Sequence, residues 1–230
     1  MYHRILGQVM PILEVDLEPG ESVMARAREL AWISPGVEVV ASRLGEDPAP
    51  AESSADSLAM TAYRAVGRQG VVAFAARLPG QILAVDLDQE GDYLVHGHGY
   101  ICGGPGVWLT TAFEQPDAGL PGEAFVLRRL SGSGTAFVEL YGEVVTRDLA
   151  EGGSIAVRPA HVGLMQGSVQ VGVITLPGAE AYPHGKKGTR MISLAGPGRV
   201  WLQTMAIPYL GEAILRGWID SSGDGGVTQS

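Results

Sequence analysis

Two histidines one residue apart are the side chains of this sequence most typical of metal chemistry. His96 and His98 stand in the segment Gly91-Asp-Tyr-Leu-Val-His-Gly-His98, which we place on a β-strand. Imidazoles at positions i and i+2 of a strand point to the same face, so the two could share one metal ion. The alternative is that both are polar residues on the outer face of the strand, and this is the interpretation that we favour.

A third histidine bears on the metal hypothesis. The His-x-His spacing resembles a metal-binding motif of the cupins, and the segment from Gly153 to His161 resembles their second motif more weakly. The match then fails, because no carboxylate follows His98 within four residues and His161 lies too close to Pro159. The sequence therefore predicts no catalytic, cofactor-binding or metal-binding residue. The alternative function is a cupin-like metal-dependent enzyme or small-molecule binder that uses His96 and His98.

Three aspartates recur at corresponding places in the chain. Asp16, Asp86 and Asp148 each precede a leucine and then a turn that contains glycine. They could converge on a common axis and bind a cation. An aspartate before a glycine turn more often accepts backbone N–H bonds and fixes the turn, so we expect a structural role.

The glycine-rich segments do not have the context of phosphate-binding loops. Gly132-Ser-Gly134 precedes a predicted strand, 135–140, whereas a dinucleotide-binding fingerprint opens a helix. Gly185-Lys-Lys187 lacks the serine or threonine and the upstream glycine of a P-loop, and it is predicted to be a solvated turn.

One cysteine and four tryptophans complete the set of candidate residues. Cys102 has no identifiable histidine partner, so we expect a small buried thiol and not a nucleophile. Trp32, Trp108, Trp201 and Trp218 are expected in the core or in a subunit interface, because strand tryptophans more often pack there than stack on a ligand.

Composition narrows the class of protein. The formal charge is −9, which disfavours binding to nucleic acid. A single cysteine cannot form an intramolecular disulfide, which fits a reducing compartment. No apolar run approaches the ~20 residues that span a bilayer, and acidic residues interrupt the N-terminal segment. The sequence predicts a cytoplasmic protein without membrane insertion.

The elements that would position these residues are strands. The 33 glycines and 14 prolines lie between short apolar runs, as expected of many short strands. Alternation in the segments that end in Asp-Leu puts Leu13, Val15 and Leu17 on one face, and Leu83, Val85 and Leu87 likewise, whereas Arg147 interrupts the third segment. Further predicted strands are 37–41, 107–111, 125–130 and 169–174. Residues 208–219 are predicted to be a short C-terminal helix, and residues 220–230 a disordered tail.

An internal repeat organises these strands. The segments 12–23, 82–94 and 144–155 each combine a strand ending in Asp-Leu, a glycine turn and a new strand. The Asp-Leu pairs are spaced by 70 and 62 residues, and a loop rich in proline and acidic residues, 45–56, lengthens the first interval. A second element, at 130–138, 194–202 and more loosely 66–74, is predicted to be a β-hairpin with a glycine turn.

The predicted fold is therefore all-β with a three-fold internal repeat. A single domain, residues 1–219, would contain three units of the short double-stranded β-helix or β-sandwich kind. Residues about 60–125, 126–190 and the remainder would superpose around a pseudo-threefold axis.

Several motifs resemble a known family. They are Glu18-Pro-Gly-Glu21, Leu78-Pro-Gly-Gln-Ile82, Leu130-Ser-Gly-Ser-Gly-Thr135, Tyr141-Gly-Glu143 and above all Gly196-Pro-Gly-Arg-Val-Trp-Leu-Gln-Thr204. Together they resemble the altered-inheritance-of-mitochondria family over about residues 7–208. Where that family usually has a Gly-Gly-Glu-like turn, this chain has Gly185-Lys-Lys-Gly188.

The resemblance carries expectations for fold and assembly. It implies a fold similar to the tryptophan-RNA-binding attenuation protein, and a homotrimer as in bacterial relatives; the yeast relative supports mitochondrial membrane organisation. It supplies no catalytic residue. We therefore expect a non-enzymatic, homo-oligomeric binding or scaffold protein with no cofactor.

Overall fold

The structure is a computed structural model that describes residues 1–26, 30–44, 59–116, 124–176 and 190–207, together with residues 210, 211 and 214. The predictions for the 45–56 loop, Gly185-Lys-Lys187, Trp218 and the 220–230 tail lie outside these residues. Within the predicted C-terminal helix, the described residues 210, 211 and 214 are helical.

Most of the described regular structure is β-strand, which confirms the all-β prediction. The first seven strands are β1 (Tyr2–Leu6), β2 (Ile12–Leu17), β3 (Ser22–Arg26), β4 (Leu30–Ile33), β5 (Val37–Leu44), β6 (Ala59–Ala65) and β7 (Gly70–Ala75). The next six are β8 (Gly80–Asp86), β9 (Tyr93–His96), β10 (Tyr100–Gly103), β11 (Val107–Gln115), β12 (Phe125–Gly132) and β13 (Thr135–Tyr141). The last six are β14 (Val144–Leu149), β15 (Ser154–Val157), β16 (Val162–Gln166), β17 (Gln170–Thr175), β18 (Arg190–Ala195) and β19 (Gly198–Gln203).

Among the described residues, two short helical turns lie between strands: α1 (Leu87–Glu90) follows β8, and a 3-10 helix covers Pro159–His161. In the described part of the chain, no helix has the length and apolar character needed to cross a bilayer.

The strands of the described residues form four sheets. The first has the order β1-β2-β7-β4, the second β5-β6-β3-β10-β13-β8, the third β11-β12-β9-β16-β19-β14 and the fourth β15-β18-β17. All described pairings are antiparallel. Among the described strands, the consecutive pairs β1 and β2, β5 and β6, β11 and β12, and β17 and β18 are neighbours within one sheet, and every other consecutive pair lies in two different sheets.

One pattern of pairing recurs along the chain. Strand β7 pairs with β2 and β4, β13 with β8 and β10, and β19 with β14 and β16. Likewise β6 pairs with β3 and β5, β12 with β9 and β11, and β18 with β15 and β17. Two further ladders, β3 with β10 and β9 with β16, join the resulting three-stranded halves.

The predicted glycine hairpins are wrong. Strands β12 and β13 flank the turn at Gly132-Ser-Gly134 but lie in the third and second sheets, so the turn passes the chain from one sheet to another. The same holds for the turns between β6 and β7 and between β18 and β19. The need for positive φ is confirmed, since Gly132 and Gly134 have φ of 99° and 90°. A turn fixes a change of direction, whereas apolar burial selects the partner strand.

The described residues form three apolar cores, each between two consecutive sheets. The first holds Leu13, Val15 and Leu17, each 0% exposed, against residues of the second sheet such as Phe137. The second lies between the second and third sheets, and the third between the third and fourth. Each buried aliphatic side chain contributes about 1.5–3 kcal/mol, so this face of β2 is a major source of stability.

Strand burial explains two departures from simple alternation. All four residues of β9 are buried, because β9 lies inside the third sheet with a core on each face: Val95 is in the second core and Leu94 in the third. Arg147 lies on β14, the edge strand of that sheet, where none of the six residues is fully buried. The arginine that interrupts the alternation is therefore solvent-exposed.

Candidate functional site

The best-defined group of buried polar side chains centres on Glu139. This residue lies on β13, where six of the seven residues are buried, and it is 1% exposed. A carboxylate in such a place must be paired and hydrogen-bonded, because water cannot solvate it.

Arg77, which lies between β7 and β8, supplies that pairing. Its Nε donates to Glu139 Oε1 over 2.6 Å, and its backbone N–H donates to Oε2 over 3.1 Å. Its Nη2 also forms an ion pair with Glu139 Oε1 and donates to the carbonyl oxygen of His98. The hydroxyl of Tyr141 accepts from Arg77 Nη2 over 2.9 Å and donates to Glu139 Oε1 over 3.2 Å. Both carboxylate oxygens are thus satisfied.

His96 lies beside this pair. It is buried, and its Nε2 is 3.1 Å from the carbonyl oxygen of Glu139, so Nε2 carries the proton and donates. Burial lowers the pKa of His96 to about 3, and the nearby charges of His98, Arg77 and Arg26 act in the same direction; the hydrogen bond to Glu139 opposes them. The imidazole is therefore neutral at pH 7.

The predicted placement of the two histidines is wrong in part. Strand β9 ends at His96, which is buried, whereas His98 is exposed in the following turn. The expectation of two outward-facing strand residues holds only for the exposure of His98. Because His98 is not on the strand, the i and i+2 geometry that would bring both imidazoles to one metal is not formed.

Gln203 repeats the Glu139 arrangement one junction further along the chain. Its Oε1 accepts from the backbone N–H of Tyr141 over 3.1 Å, and its Nε2 donates to the carbonyl oxygen of Ala160 over 3.0 Å. Its own carbonyl oxygen is 2.9 Å from His161 Nδ1. In both places a polar side chain on one strand binds the backbone of an earlier connection and a histidine binds that residue's carbonyl oxygen.

These two groups fix strand connections. Arg77 neutralises Glu139, the neutral His96 donates to a backbone oxygen, and Gln203 is occupied at both ends of its amide. The arrangement therefore holds the chain in position at the junctions between strands.

The predicted aspartates have different partners. Asp86 caps α1 and accepts from the backbone N–H groups of Asp88 and Gln89 over 3.0 and 3.3 Å, which confirms its predicted role in the turn. Asp16 forms an ion pair with Arg4 at 3.8 Å. Asp148 binds Arg199 Nε at 2.7 Å, and that bond lowers the pKa of the carboxyl group. The three lie on β2, β8 and β14, in three sheets, and no convergent site forms.

The other candidates are placed as follows. Cys102 is 0% exposed on β10, as predicted. Trp201 is partly buried and packs at 5.9 Å from the ring of Tyr93. Trp32 and Trp108 are 44% and 50% exposed, so neither belongs to the core of this chain. Among the described residues, no group of three or more His, Cys, Asp or Glu is arranged to hold a metal ion.

Glu139 and Gln203 were not among the residues predicted from the sequence, although each is a polar residue in an apolar strand segment. Glu139 is the lone charged residue in the apolar run Ala-Phe-Val-Glu-Leu-Tyr, and Gln203 ends Val-Trp-Leu-Gln. They are 64 positions apart, the same offset that separates the matching segments at 130 and 194. A polar residue at the same place in two matching segments indicates a buried hydrogen-bonding role.

Two surface features remain outside these groups. A shallow cavity of about 550 Å³ is lined by Met1, Tyr2, Arg4, Asp16, Glu18, Glu21 and Gln69. Large apolar side chains are exposed on strands that end a sheet: Trp32 on β4, Val39 on β5, Trp108 on β11 and Ile174 on β17.

The fold and this site define an all-β protein of stacked antiparallel sheets with polar groups that hold its strand junctions. The chain belongs to the family described as mitochondrial biogenesis AIM24, whose pattern it matches over residues 3–205, and this confirms the predicted family. No curated protein matches the sequence.

A solved structure shares the fold. The crystal structure of protein SPYM3_0169 from Streptococcus pyogenes superposes with a TM-score of 0.73 and is 19% identical, with 94% of this chain and 98% of that chain covered. At this identity the similarity concerns the fold alone.

Proposed function

We propose that this protein is a non-enzymatic, homo-oligomeric binding or scaffold protein that works through its surfaces. The observation that carries the proposal is the exposure of large apolar side chains on edge strands, with Trp32 at 44%, Val39 at 58% and Trp108 at 50%. Scattered apolar residues are common on monomers, but aromatic residues on unpaired strand edges favour protein contacts.

The use of the buried polar groups supports the same proposal. Glu139, Gln203 and His96 are occupied by hydrogen bonds that hold backbone connections together. A formal charge of −9 favours a partner other than nucleic acid. A cytoplasmic location stays a prediction from the sequence.

We propose that the chain folds as a three-fold internal repeat. The units are β2–β7, β8–β13 and β14–β19, with boundaries that differ from the 60–125 and 126–190 segments expected from the sequence. The recurrence of four pairings in each unit supports it, as does the equivalence of Glu139 and Gln203. Each unit would be a small two-sheet sandwich related to the short double-stranded β-helix, and repetition would multiply the surface available to partners.

The assembly that we propose is a homotrimer. Cyclic closure is the usual way in which identical chains cover exposed edges. Light scattering coupled to size exclusion tests it: we expect three times 24.1 kDa, about 72 kDa. A mass of 24.1 kDa at micromolar concentration would contradict the oligomeric proposal, and a dimer would contradict the trimer only.

A further inference from the structure

Three strands occupy equivalent positions in their sheets. Strand β2 pairs with β7, β8 with β13 and β14 with β19, and each of the three carries the aspartate of an Asp-Leu pair at its end. In the described part of the chain β8 and β14 are sheet edges, whereas β2 has β1 on its other side. The outer side of this position can therefore accept a further strand.

The backbone of β2 shows how the added strand is held. In an antiparallel ladder, alternate residues bond to the partner strand, and the residues between them direct their N–H and C=O groups to the other side. Pro11 O accepts from Ala76 N–H over 3.0 Å, and this pair continues the register of β2 with β7. The outward residues of β2 are therefore Ile12, Glu14 and Asp16, and they lie opposite residues of β1.

The same rule identifies the outward groups of β14. Thr204 N–H donates to Glu143 O over 2.9 Å, and this pair continues the register of β14 with β19. The outward residues of β14 are therefore Val144, Thr146 and Asp148. Their N–H and C=O groups point away from β19, toward the side on which β2 binds β1.

One of these outward carbonyl groups has a side-chain donor. Arg147 Nη1 donates to the carbonyl oxygen of Thr146 over 2.9 Å, and both residues are exposed. Counted back from the aspartate of the Asp-Leu pair, Thr146 corresponds to Glu14, the middle residue of the β1–β2 register, which lies opposite Arg4. The guanidinium thus covers the acceptor at which the centre of an added strand would bind.

The equivalents of Arg147 are core residues. Val15 and Val85 precede the corresponding aspartates, are 0% and 5% exposed, and belong to the first and second cores. The arginine gives up that aliphatic burial. It also places a charge at the edge, and an added strand would have to desolvate or displace this charge.

Strand β8 has a different contact at its outer side. Gly80 is an outward residue of β8, because its neighbour Pro79 accepts from Gly142 N–H on the β13 side. Gly80 N–H donates to Val9 O over 2.9 Å, so the loop between β1 and β2 is bonded to the start of this edge. Among the described residues, each of the three equivalent positions therefore has its own occupant: β1 on β2, the N-terminal loop on β8, and the Arg147 side chain on β14.

We propose that Arg147 blocks strand addition at the β14 edge. The strand that it excludes is the β1 segment of another copy, which pairs with β2 at the equivalent position inside the chain. The residue confines strand addition to one of three equivalent edges and so prevents open-ended association of chains. This role is separate from the contacts that would join the subunits of the proposed homo-oligomer.

Binding of a labelled peptide tests this role. The probe is a synthetic peptide of residues 1–8 with a fluorophore at its C-terminus, and fluorescence anisotropy measures its binding to the full chain. We expect Arg147→Val to bind the peptide about tenfold or more tightly than the wild type, because a backbone acceptor is released and a charge is removed. Arg158→Val, which removes an exposed arginine outside the strands, is the matched control and should bind as weakly as the wild type.

A proline shows where the peptide binds. Thr146 N–H points away from β19, so Thr146→Pro keeps the β14–β19 ladder but removes a donor to an added strand. We expect the Thr146→Pro/Arg147→Val chain to lose the gain in binding. Amide hydrogen exchange locates the peptide without a second substitution: in Arg147→Val, the peptide should protect the amides of Val144, Thr146 and Asp148.

Three results would overturn the proposal. The first is equal peptide binding by Arg147→Val and the wild type. The second is an equal gain in Arg158→Val, which would make the gain a general effect of charge. The third is a gain in Arg147→Val without protection of the β14 amides, which would place the peptide elsewhere. None of these results depends on the mass of the wild-type assembly, so they leave the proposed homo-oligomer to its own test.

Discussion

Arg77 Nε lies 2.6 Å from Glu139 Oε1, and the backbone N–H of the same arginine donates to Oε2 over 3.1 Å. The carboxylate side chain is 2% exposed and the arginine side chain 34%. One residue of β13 thus holds both the side chain and the backbone of the connection that leads into β8. This relationship makes the junction sensitive to the loss of either partner.

We predict that Glu139→Ala lowers the free energy of unfolding by about 2–3 kcal/mol. Breaking a buried ion pair costs about 3–5 kcal/mol, and water reaching the partly exposed arginine reduces that loss. Glu139→Gln, which copies the residue at position 203, should cost less, because an amide oxygen can still accept from Arg77 N–H. Denaturant unfolding measures both. Equal stability of Glu139→Ala and wild type would contradict the structural role of the pair.

A second prediction concerns the pH dependence of stability. Folding lowers the pKa of His96 from its ordinary 6.5 to about 3, so between these values the unfolded chain binds a proton that the folded chain does not. The contribution of His96 to the free energy of unfolding is therefore fully present above pH 6.5. It is lost as the pH falls toward 3, at up to about 1.4 kcal/mol per pH unit.

The variant His96→Gln isolates that contribution. A glutamine amide can still donate to the Glu139 carbonyl oxygen but does not titrate. We expect its unfolding free energy to fall less steeply than that of the wild type between pH 6.5 and pH 4. Urea unfolding of both proteins at several pH values gives the free energy of unfolding as a function of pH. The same dependence on pH in both proteins would show that His96 is not neutral in the folded protein.

A third prediction is that the purified protein carries no stoichiometric transition metal. His96 is buried with Nε2 directed at a backbone oxygen, and His98 lies off the strand, so the two imidazoles lack a shared metal geometry. Elemental analysis measures this. About one zinc, iron or manganese per chain that disappears in the His96→Ala/His98→Ala variant would instead support a cupin-like enzyme.

A fourth prediction uses two glycines of one turn. A Cβ at Gly132 would lie 2.1 Å from the backbone oxygen of Gly106, whereas a Cβ at Gly134 would meet nothing within 4 Å. Both have positive φ, which costs other residues about 1–2 kcal/mol. We expect Gly134→Ala to lose about that amount and Gly132→Ala clearly more, since the Gly106 oxygen also accepts from Ser133 N–H. Thermal unfolding ranks the two, and equal losses would contradict the described turn.

The sequence predicted strands better than their partners. Alternation located β2 with its buried Leu13, Val15 and Leu17, because one apolar face leaves a clear period of two. It could not show that β12 and β13 enter different sheets, because pairing depends on strands far away in the sequence. The glycine turn between them has the same local chemistry in a hairpin and in a crossing between sheets.

The candidate site was harder to predict for a related reason. The four residues of β9 lie between two cores, so the burial of His96 follows from the stacking of sheets and not from the strand itself. The pairing of Glu139 with Arg77 joins residues 62 positions apart. Such contacts become visible only when the order of strands is known.

The covering of exposed edge strands in the proposed homo-oligomer is tested most directly by amide hydrogen exchange of the wild-type protein at two concentrations, one at which the oligomer persists and one at which it dissociates. Unpaired edge strands exchange rapidly, whereas central strands are protected. We predict that amides in at least one of the edge strands with exposed large apolar side chains, β4, β5, β11 and β17, are more protected in the oligomer, whereas the central strands β9 and β10 exchange equally in both states. Equal exchange of all four edge strands at the two concentrations would contradict the account.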